Sequence, residues 1–415
     1  MIRLSSDNLI KFITLFIFLV PLFPSLLNES QYHVIILVTI LPIIGVIVRK
    51  KHITTHKKSI YIALFFFLVL QILLIVSFTW GIGNLEGIGD IISLFRPLYL
   101  LISIIFLIYL IDSPYQLFFS LERTLKFILF FILLVSIIEV FLKNSQLNQL
   151  NFLLYKMERK QDIANVSVSL FVLPYYAAFA LSFLSSYFAT LFLIKRNYMY
   201  VTYMTLCLLI SILTQSKTGI IVNIAIIFFA IFLYHNIKFK LFISLSLLLS
   251  IYVIINHADT IIDLLLTYYP GNLSHTIDTL VNNPEKSNTL HLRLNQFNDN
   301  LLAIEKNNIL TGYGLGRDLM LESWLASVLV RYGIFGLFFY VAFFLTIIIS
   351  GIKTYFKIND KSRYIIIMFC IWLSLSFISQ LSAFMIESSK TAYIFILYFS
   401  IYLTTFYSNK IKSYY

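Results

Sequence analysis

Arginine and lysine residues beside apolar segments are the first feature of this sequence that could carry chemistry. Arg96 lies in the apolar run ISLFRPLYLL and Lys217 in LTQSKTGI, while Arg293, Arg317 and Arg331 belong to one long polar stretch. A guanidinium group forms a planar fork that binds two phosphate oxygens and stays charged at any physiological pH. Several cations that meet at a membrane surface would therefore suit a lipid-linked pyrophosphate.

Arg96 and Lys217 each have a second interpretation. An arginine inside an apolar run is costly unless it is paired with an anion or faces a polar cavity, yet it can also snorkel to the interface. Pro97 disturbs the helix beside Arg96 and would free backbone groups to line a cavity, which favours a functional role. Lys217 alone would be an ordinary interfacial lysine, so the group of cations is more informative than any one member.

Glu322 is the candidate general base. It begins the segment ESWLASVLVRYGIFG, and a carboxylate near a cationic cluster could accept a proton from a sugar hydroxyl. The alternative is an acidic residue that complements the dipole at a helix N-terminus. Weaker candidates for substrate contacts are Arg331, Arg159, Tyr313 and His291, and weaker candidates for lining a cavity are Glu139 and Gln380.

Soluble-enzyme motifs are absent from the sequence. It has no phosphate-binding glycine loop, no HExxH, no cysteine-rich metal site and no Gly-x-Ser-x-Gly. We therefore expect neither a metal nor a cofactor. Cys207 and Cys370, both inside apolar runs, are expected to be packing residues.

The composition predicts an all-α integral membrane protein. Of 415 residues, 60% are hydrophobic and 12% charged, whereas a soluble domain carries about a quarter charged residues. The apolar runs are about 16–22 residues long, the length that a helix needs to cross roughly 30 Å of hydrocarbon. The formal charge of +12 comes mostly from basic residues that flank the runs, so we expect contact with lipid headgroups rather than nucleic acid.

About twelve spanning helices are predicted from these runs. The approximate ranges are 9–27, 32–48, 60–80, 91–111, 125–142, 174–194, 198–213, 218–236, 241–256, 334–352, 364–385 and 391–407. Basic residues at 49–58 place that connection in the cytoplasm, and both termini follow it there. We thus predict one integrated membrane domain. Residues 1–256 form nine helices with a smaller loop at 143–173. Residues 257–333 form a large loop on the non-cytoplasmic side of the membrane, and residues 334–415 form three helices. Helical spacing of apolar residues predicts a short helix at 289–306 inside the large loop.

The order of several short motifs resembles the O-antigen polymerase and ligase superfamily. Its large-loop signature is an Arg-bearing helix, a Gly-x-Gly element, a polar pair and a helix with Gly-x-x-Gly. This chain has Arg293, then ILTGYGLG at 309–316, then ES at 322–323 and YGIFG at 332–336. FRPL at 95–98 and SKTG at 216–219 resemble the upstream landmarks. The similarity extends over most of the chain and includes the number of spans and the position of the large loop.

The resemblance implies a glycosyltransferase of the C-type superfamily, metal-independent and inverting, in a bacterial inner membrane with its large loop in the periplasm. A polymerase of this type moves a growing glycan from undecaprenyl pyrophosphate onto an incoming lipid-linked repeat unit. Its partners would be this lipid-linked oligosaccharide, membrane lipid and a chain-length-regulating co-polymerase. Arg96, Lys217, Arg293 and Arg317 would stabilise the leaving pyrophosphate, with Glu322 and Arg293 catalytic. Ligases place a His where this chain has Glu322, which favours the polymerase. An O-antigen ligase, or a flippase or transporter from another class, remains an alternative.

Overall fold

The computed structural model describes most of the chain as helices. The described residues are 5–20, 40–47, 57–81, 83–155, 166–171, 173–234, 288–305, 309–315, 323–381, 383–387 and 389–412, with single positions at 256, 260 and 263. All regular structure within these ranges is α-helical. In chain order the helices are α1 (Ser6–Leu19), α2 (40–47), α3 (Lys57–Trp80), α4 (Ile88–Leu94), α5 (Arg96–Leu110), α6 (Pro114–Ser120), α7 (Glu122–Phe141), α8 (Gln146–Tyr155), α9 (Pro174–Lys195), α10 (Met199–Leu213), α11 (Lys217–Tyr234), α12 (Asn288–Glu305), α13 (Trp324–Lys357), α14 (Arg363–Ser379) and α15 (Ser389–Lys412).

Six of the described helical stretches are long and apolar enough to cross a membrane. They are Lys57–Trp80, Pro114–Phe141, Pro174–Lys195, Lys217–Tyr234, Trp324–Lys357 and Lys390–Ser408, and three shorter apolar helices are α5, α10 and α14. The chain is therefore a multi-pass helical membrane protein. Twelve spans stay a prediction, since the run at 241–256 lies outside the described residues except for its last position. The helix predicted at 289–306 is confirmed as α12.

Helix α9 forms the centre of the bundle. All of its residues from Tyr176 to Ile194 are buried, although the sequence is rich in Ala and Ser. Small residues let neighbouring backbones approach closely, and hydroxyl groups can bond across helices where lipid offers no partner. Ser182 Oγ accepts a hydrogen bond from Trp372 Nε1 on α14 (3.1 Å), and Ser186 Oγ donates to the Met368 carbonyl (3.1 Å). Cys207 and Cys370 are buried and unbridged, as expected for packing residues.

The span predicted at 91–111 differs from the structure, which breaks it into two helices. Helix α4 ends at Leu94, Phe95 adopts φ −96° and ψ 13°, and α5 begins at Arg96 with Pro97 in its first turn. Proline has no N–H to continue the preceding helix and is well suited to a first turn. Arg96 therefore lies at the start of a helix, not inside a continuous one.

Successive helices bring their ends together at two opposite ends of the bundle. The first, which we call the wedge end, contains the C-termini of α3, α7 and α14 and the N-termini of α5, α9, α13 and α15. At the opposite end Ser6 Oγ donates to Asp112 (3.1 Å) and Ser59 Oγ to the Leu403 carbonyl (3.1 Å). The candidate residues whose side chains the structure describes lie mostly at the wedge end.

Candidate functional site

A glycine-rich segment, residues 309–315, packs between α3 and α13, and we call it the wedge. Gly312 and Gly314 have φ of 92° and 98°, a backbone conformation that suits glycine. The amides of Tyr313 and Gly314 both donate to the carbonyl of Val330 in α13, at 2.7 and 3.2 Å. These two amides are thereby occupied, so the Gly-x-Gly element serves for close backbone packing rather than as an anion-binding nest.

The other side of the wedge lies against the C-terminus of α3. A Cβ atom on Gly314 would be 3.0 Å from the Phe78 Cα, and one on Gly81 only 2.2 Å from the Tyr313 carbonyl oxygen. Neither position has room for a larger side chain without a backbone shift. Tyr313, a predicted substrate contact, is half-buried here, and its main chain helps to hold the wedge.

Helix α13 is broken at Gly333, where the wedge enters. Gly333 has φ 66° and ψ −170° inside an otherwise helical run. The amides of Ile334 and Phe335 lose their partners in the helix and donate instead to the carbonyls of Ile309 and Leu310, at 3.1 and 3.3 Å. The Gly-x-Gly and Gly-x-x-Gly elements, about twenty residues apart in the sequence, are therefore parts of a single backbone interlock.

Two side chains immediately before this break bind one buried carboxylate. Arg331 Nη1 is 2.7 Å from Glu387 Oε2, and the Tyr332 hydroxyl donates to Glu387 Oε1 at 2.7 Å. Glu387 belongs to the connection between α14 and α15 and is only 3% exposed, while Tyr332 is fully buried. A charge-assisted pair of this length at such burial holds its groups in one geometry.

Arg96 is held at the start of α5. The Gln71 side chain supports the break before it, since its Nε2 donates to the Leu94 carbonyl (2.9 Å) and its Oε1 accepts from the Leu98 amide (3.2 Å). Helices α5 and α13 both pack against α3, so Arg96 and Arg331 lie on elements that share one neighbouring helix. A guanidinium group at either position could bind an anionic oxygen.

Helix α12, which carries Arg293 and His291, packs on this region. Ile304 is fully buried against Leu329 and Val330 of α13, and Leu301 and Tyr313 adjoin them. The backbone of α12 therefore places Arg293 on an element that contacts the wedge. The side chains of Arg293 and His291 lie outside what the structure describes, as do residues Arg159, Arg317 and Glu322 altogether. Their predicted roles stay predictions.

Lys217 and Glu139 lie at the same end of the bundle in different settings. Lys217 is the first residue of α11 and is half-buried. The Glu139 carboxylate is buried and accepts hydrogen bonds from the Val168 and Ser169 amides, both at 2.8 Å, and from the Ser167 hydroxyl at 2.6 Å. Glu139 thus anchors the backbone of residues 167–169 instead of lining an open cavity.

Glu387 and Lys390 are residues at the wedge end that the sequence analysis missed. Lys390 Nζ is buried and donates to the carbonyls of Phe18 (2.9 Å) and Leu170 (3.1 Å). Both residues lie in the short segment ESSK between two apolar runs, and charged residues between such closely spaced runs were the available signal. Among the described residues, no group of three or more His, Cys, Asp or Glu side chains could hold a metal ion.

No protein-family model matches this chain, and no curated protein matches it either.

Proposed function

We propose that this chain is a repeat-unit polymerase of the O-antigen type, a membrane glycosyltransferase that acts on undecaprenyl-pyrophosphate-linked glycans. The observation that carries the proposal is that Arg96, at the start of α5, and Arg331, just before the break in α13, lie on two helices that both pack against α3 in a multi-pass bundle. FRPL of 95–98 and YGIFG of 332–336, distant in sequence, thus lie on helices with a common neighbour. This arrangement, together with the order of motifs that resembles the superfamily, supports the proposal.

The proposed reaction transfers the growing glycan from one lipid to another. The acceptor hydroxyl of the incoming repeat unit attacks the anomeric carbon of the chain that is linked to undecaprenyl pyrophosphate. The new glycosidic C–O bond forms as the bond to the pyrophosphate oxygen breaks, with inversion at that carbon. The hydroxyl proton passes to a general base, for which Glu322 is the candidate. No metal or cofactor is required by this scheme.

Arginine residues would supply most of the stabilisation in that step. Negative charge develops on the pyrophosphate as it leaves, and preorganised cations in a site with little water lower the barrier by about 2.7–4 kcal/mol per donor. Arg96 and Arg331 lie where they could act in this way, and Arg293, Arg317 and Lys217 are predicted to add to them. The wedge end would then face the periplasm, where lipid-linked repeats are joined.

A complementation experiment tests the activity. A strain that lacks this gene is complemented with it, and lipopolysaccharide is resolved on a gel. Single-repeat lipopolysaccharide without the gene and a ladder with it would support a polymerase. If the strain that lacks the gene has no O-antigen on its lipopolysaccharide and accumulates long polymer on the undecaprenyl carrier, the protein is a ligase instead. Repeat units retained on the cytoplasmic side would indicate a flippase.

Site variants sharpen the same experiment. Arg96→Ala should reduce polymer formation by about 10²-fold, since one donor to the leaving group is lost. Polymer formation by Arg96→Lys should also fall well below that of wild type, because lysine keeps the charge but lacks the planar fork of the guanidinium group. Arg293→Ala should abolish the ladder. Arg123→Ala is the matched control, because Arg123 is an exposed arginine at the opposite end of the bundle. A normal ladder from a well-expressed Arg96→Ala variant would show that Arg96 does not contribute to the reaction.

A further inference from the structure

Glu387 binds the side chains of two consecutive residues of α13. These residues are far from Glu387 in the sequence. Its Oε2 forms an ion pair with Arg331, and its Oε1 accepts a hydrogen bond from the Tyr332 hydroxyl, both at 2.7 Å. The connection between α14 and α15 is thereby fastened to the last two residues before the break at Gly333. A carboxylate with one oxygen on each of two neighbouring side chains fixes both their positions and their rotation about the helix axis.

The position of the wedge depends on those residues. Val330, directly before Arg331, accepts the amides of Tyr313 and Gly314, and the amides after Gly333 donate back to Ile309 and Leu310. Four backbone hydrogen bonds thus flank the two side chains that Glu387 holds. Any rotation of this part of α13 would move the acceptor carbonyl of Val330 away from the wedge.

Glu387 also leaves Arg331 with capacity for another anion. A guanidinium group has five N–H donors, and the contact with Glu387 is made by Nη1. A carboxylate that takes one edge of the fork orients the remaining donors in a fixed direction.

We propose that Glu387 is a positioning residue that orients Arg331 and holds the broken α13 against the wedge, so that the guanidinium can bind a pyrophosphate oxygen. The ligand in this inference rests on the proposed function, whereas the effect on the wedge does not. Glu387 itself does not touch the substrate. Its effect on binding must therefore pass through Arg331.

Hydrogen exchange tests the effect on the wedge without any ligand. In the full-length protein in detergent, exchange of amides in residues 309–315 is followed by mass spectrometry for wild type, Glu387→Ala and Glu387→Gln. We expect exchange to be at least tenfold faster in Glu387→Ala and intermediate in Glu387→Gln, with α9 unchanged in both. Glu122→Ala, which removes a carboxylate at the opposite end, is the control and should leave 309–315 protected. Unchanged exchange in Glu387→Ala would overturn the inference.

Binding of undecaprenyl pyrophosphate, with undecaprenol as the uncharged control lipid, tests the link through Arg331. Glu387→Ala and Arg331→Ala should each weaken binding of the pyrophosphate lipid at least tenfold without changing binding of undecaprenol. The double variant should bind no more weakly than Arg331→Ala alone, because Glu387 acts through that side chain. Additive losses would show that Glu387 does not act through Arg331.

The two measurements separate the inference from the proposed function. If wild type does not prefer the pyrophosphate lipid to undecaprenol, then the proposed function fails, and with it the ligand assigned to Arg331. Hydrogen exchange would still decide whether Glu387 holds the wedge. If wild type binds the pyrophosphate lipid but Glu387→Ala behaves like wild type in both measurements, then the positioning role fails and the proposed function stands.

Discussion

Two carboxylates at opposite ends of the bundle show how differently the same side chain can serve this fold. Glu122 accepts from Lys126 at 2.6 Å, from Lys195 at 2.5 Å and from the Tyr200 hydroxyl at 2.8 Å. Glu387 has two such partners, Arg331 and Tyr332. By number of partners Glu122 would be the better anchored of the two.

The two carboxylates differ in how deeply their partners are buried and in which helices carry those partners. The lysines around Glu122 are partly exposed, with 28% and 37% of their side-chain surface accessible, and lie at the ends of intact helices. The partners of Glu387 are more buried and precede a helix break that receives the wedge. Burial and the element that a carboxylate fixes, rather than the number of its bonds, therefore decide how much depends on it.

Removal of each carboxylate should give the largest contrast. Glu387→Ala should lower the free energy of unfolding by about 3–5 kcal/mol, since it leaves the largely buried Arg331 guanidinium without its counter-ion and the fully buried Tyr332 hydroxyl without its acceptor. Glu122→Ala should cost about 1 kcal/mol or less, because water can solvate the partly exposed lysines. Denaturant unfolding of the purified proteins in one detergent measures both. Equal losses would contradict the distinction that we draw between the two ends.

The break in α13 gives a second test of the same contrast. Gly333→Ala would place a Cβ atom 2.2 Å from the Leu310 carbonyl oxygen at a φ of 66°, so we expect a loss of about 1–3 kcal/mol and faster amide exchange in the wedge. Gly87→Ala is the control, because its Cβ would meet no atom within 4 Å. A Gly333→Ala variant as stable as Gly87→Ala would mean that the interlock does not require glycine at this position.

Salt should produce the smallest and most selective effect. Raising the ionic strength from about 0.1 to 1 M shortens the Debye length from about 10 to 3 Å and screens exposed pairs more than buried ones. The stability difference between wild type and Glu122→Gln should shrink by a few tenths of a kcal/mol, an amount consistent with the small value of exposed pairs. The corresponding difference for Glu387→Gln should not change. A large salt effect at Glu387 would show that water reaches this pair.

Much of the helical scaffold was predictable from the sequence. Apolar runs of membrane-spanning length correspond to α3, α9, α11 and α15, because a backbone in lipid must satisfy its own hydrogen bonds and a helix does so within one segment. The spacing of Leu290, Leu294 and Leu301 predicted α12 for a similarly local reason. The break at Arg96 was foreseen in part, since Pro97 indicated a disturbed helix but not that the helix would begin there.

The candidate site was less predictable. The sequence pointed to Arg96 and Arg331 as cations and to the Gly-x-Gly and Gly-x-x-Gly elements as parts of one motif order. It did not indicate that Glu387 would neutralise Arg331 or that the wedge would fill the break at Gly333. Those contacts join residues about 55 and about 20 positions apart, and no period along one helix specifies them.

The sequence by itself thus determined that the chain is a multi-pass helical membrane protein and where many of its helices lie, because the length of an apolar run and the saturation of backbone hydrogen bonds are local properties. The tertiary structure decided which charges meet. The partner of a largely buried guanidinium depends on how helices pack around α9 and where breaks such as Gly333 admit another segment. The carboxylate that pairs with Arg331 belongs to the connection between α14 and α15, and no local pattern in the sequence places that connection beside α13.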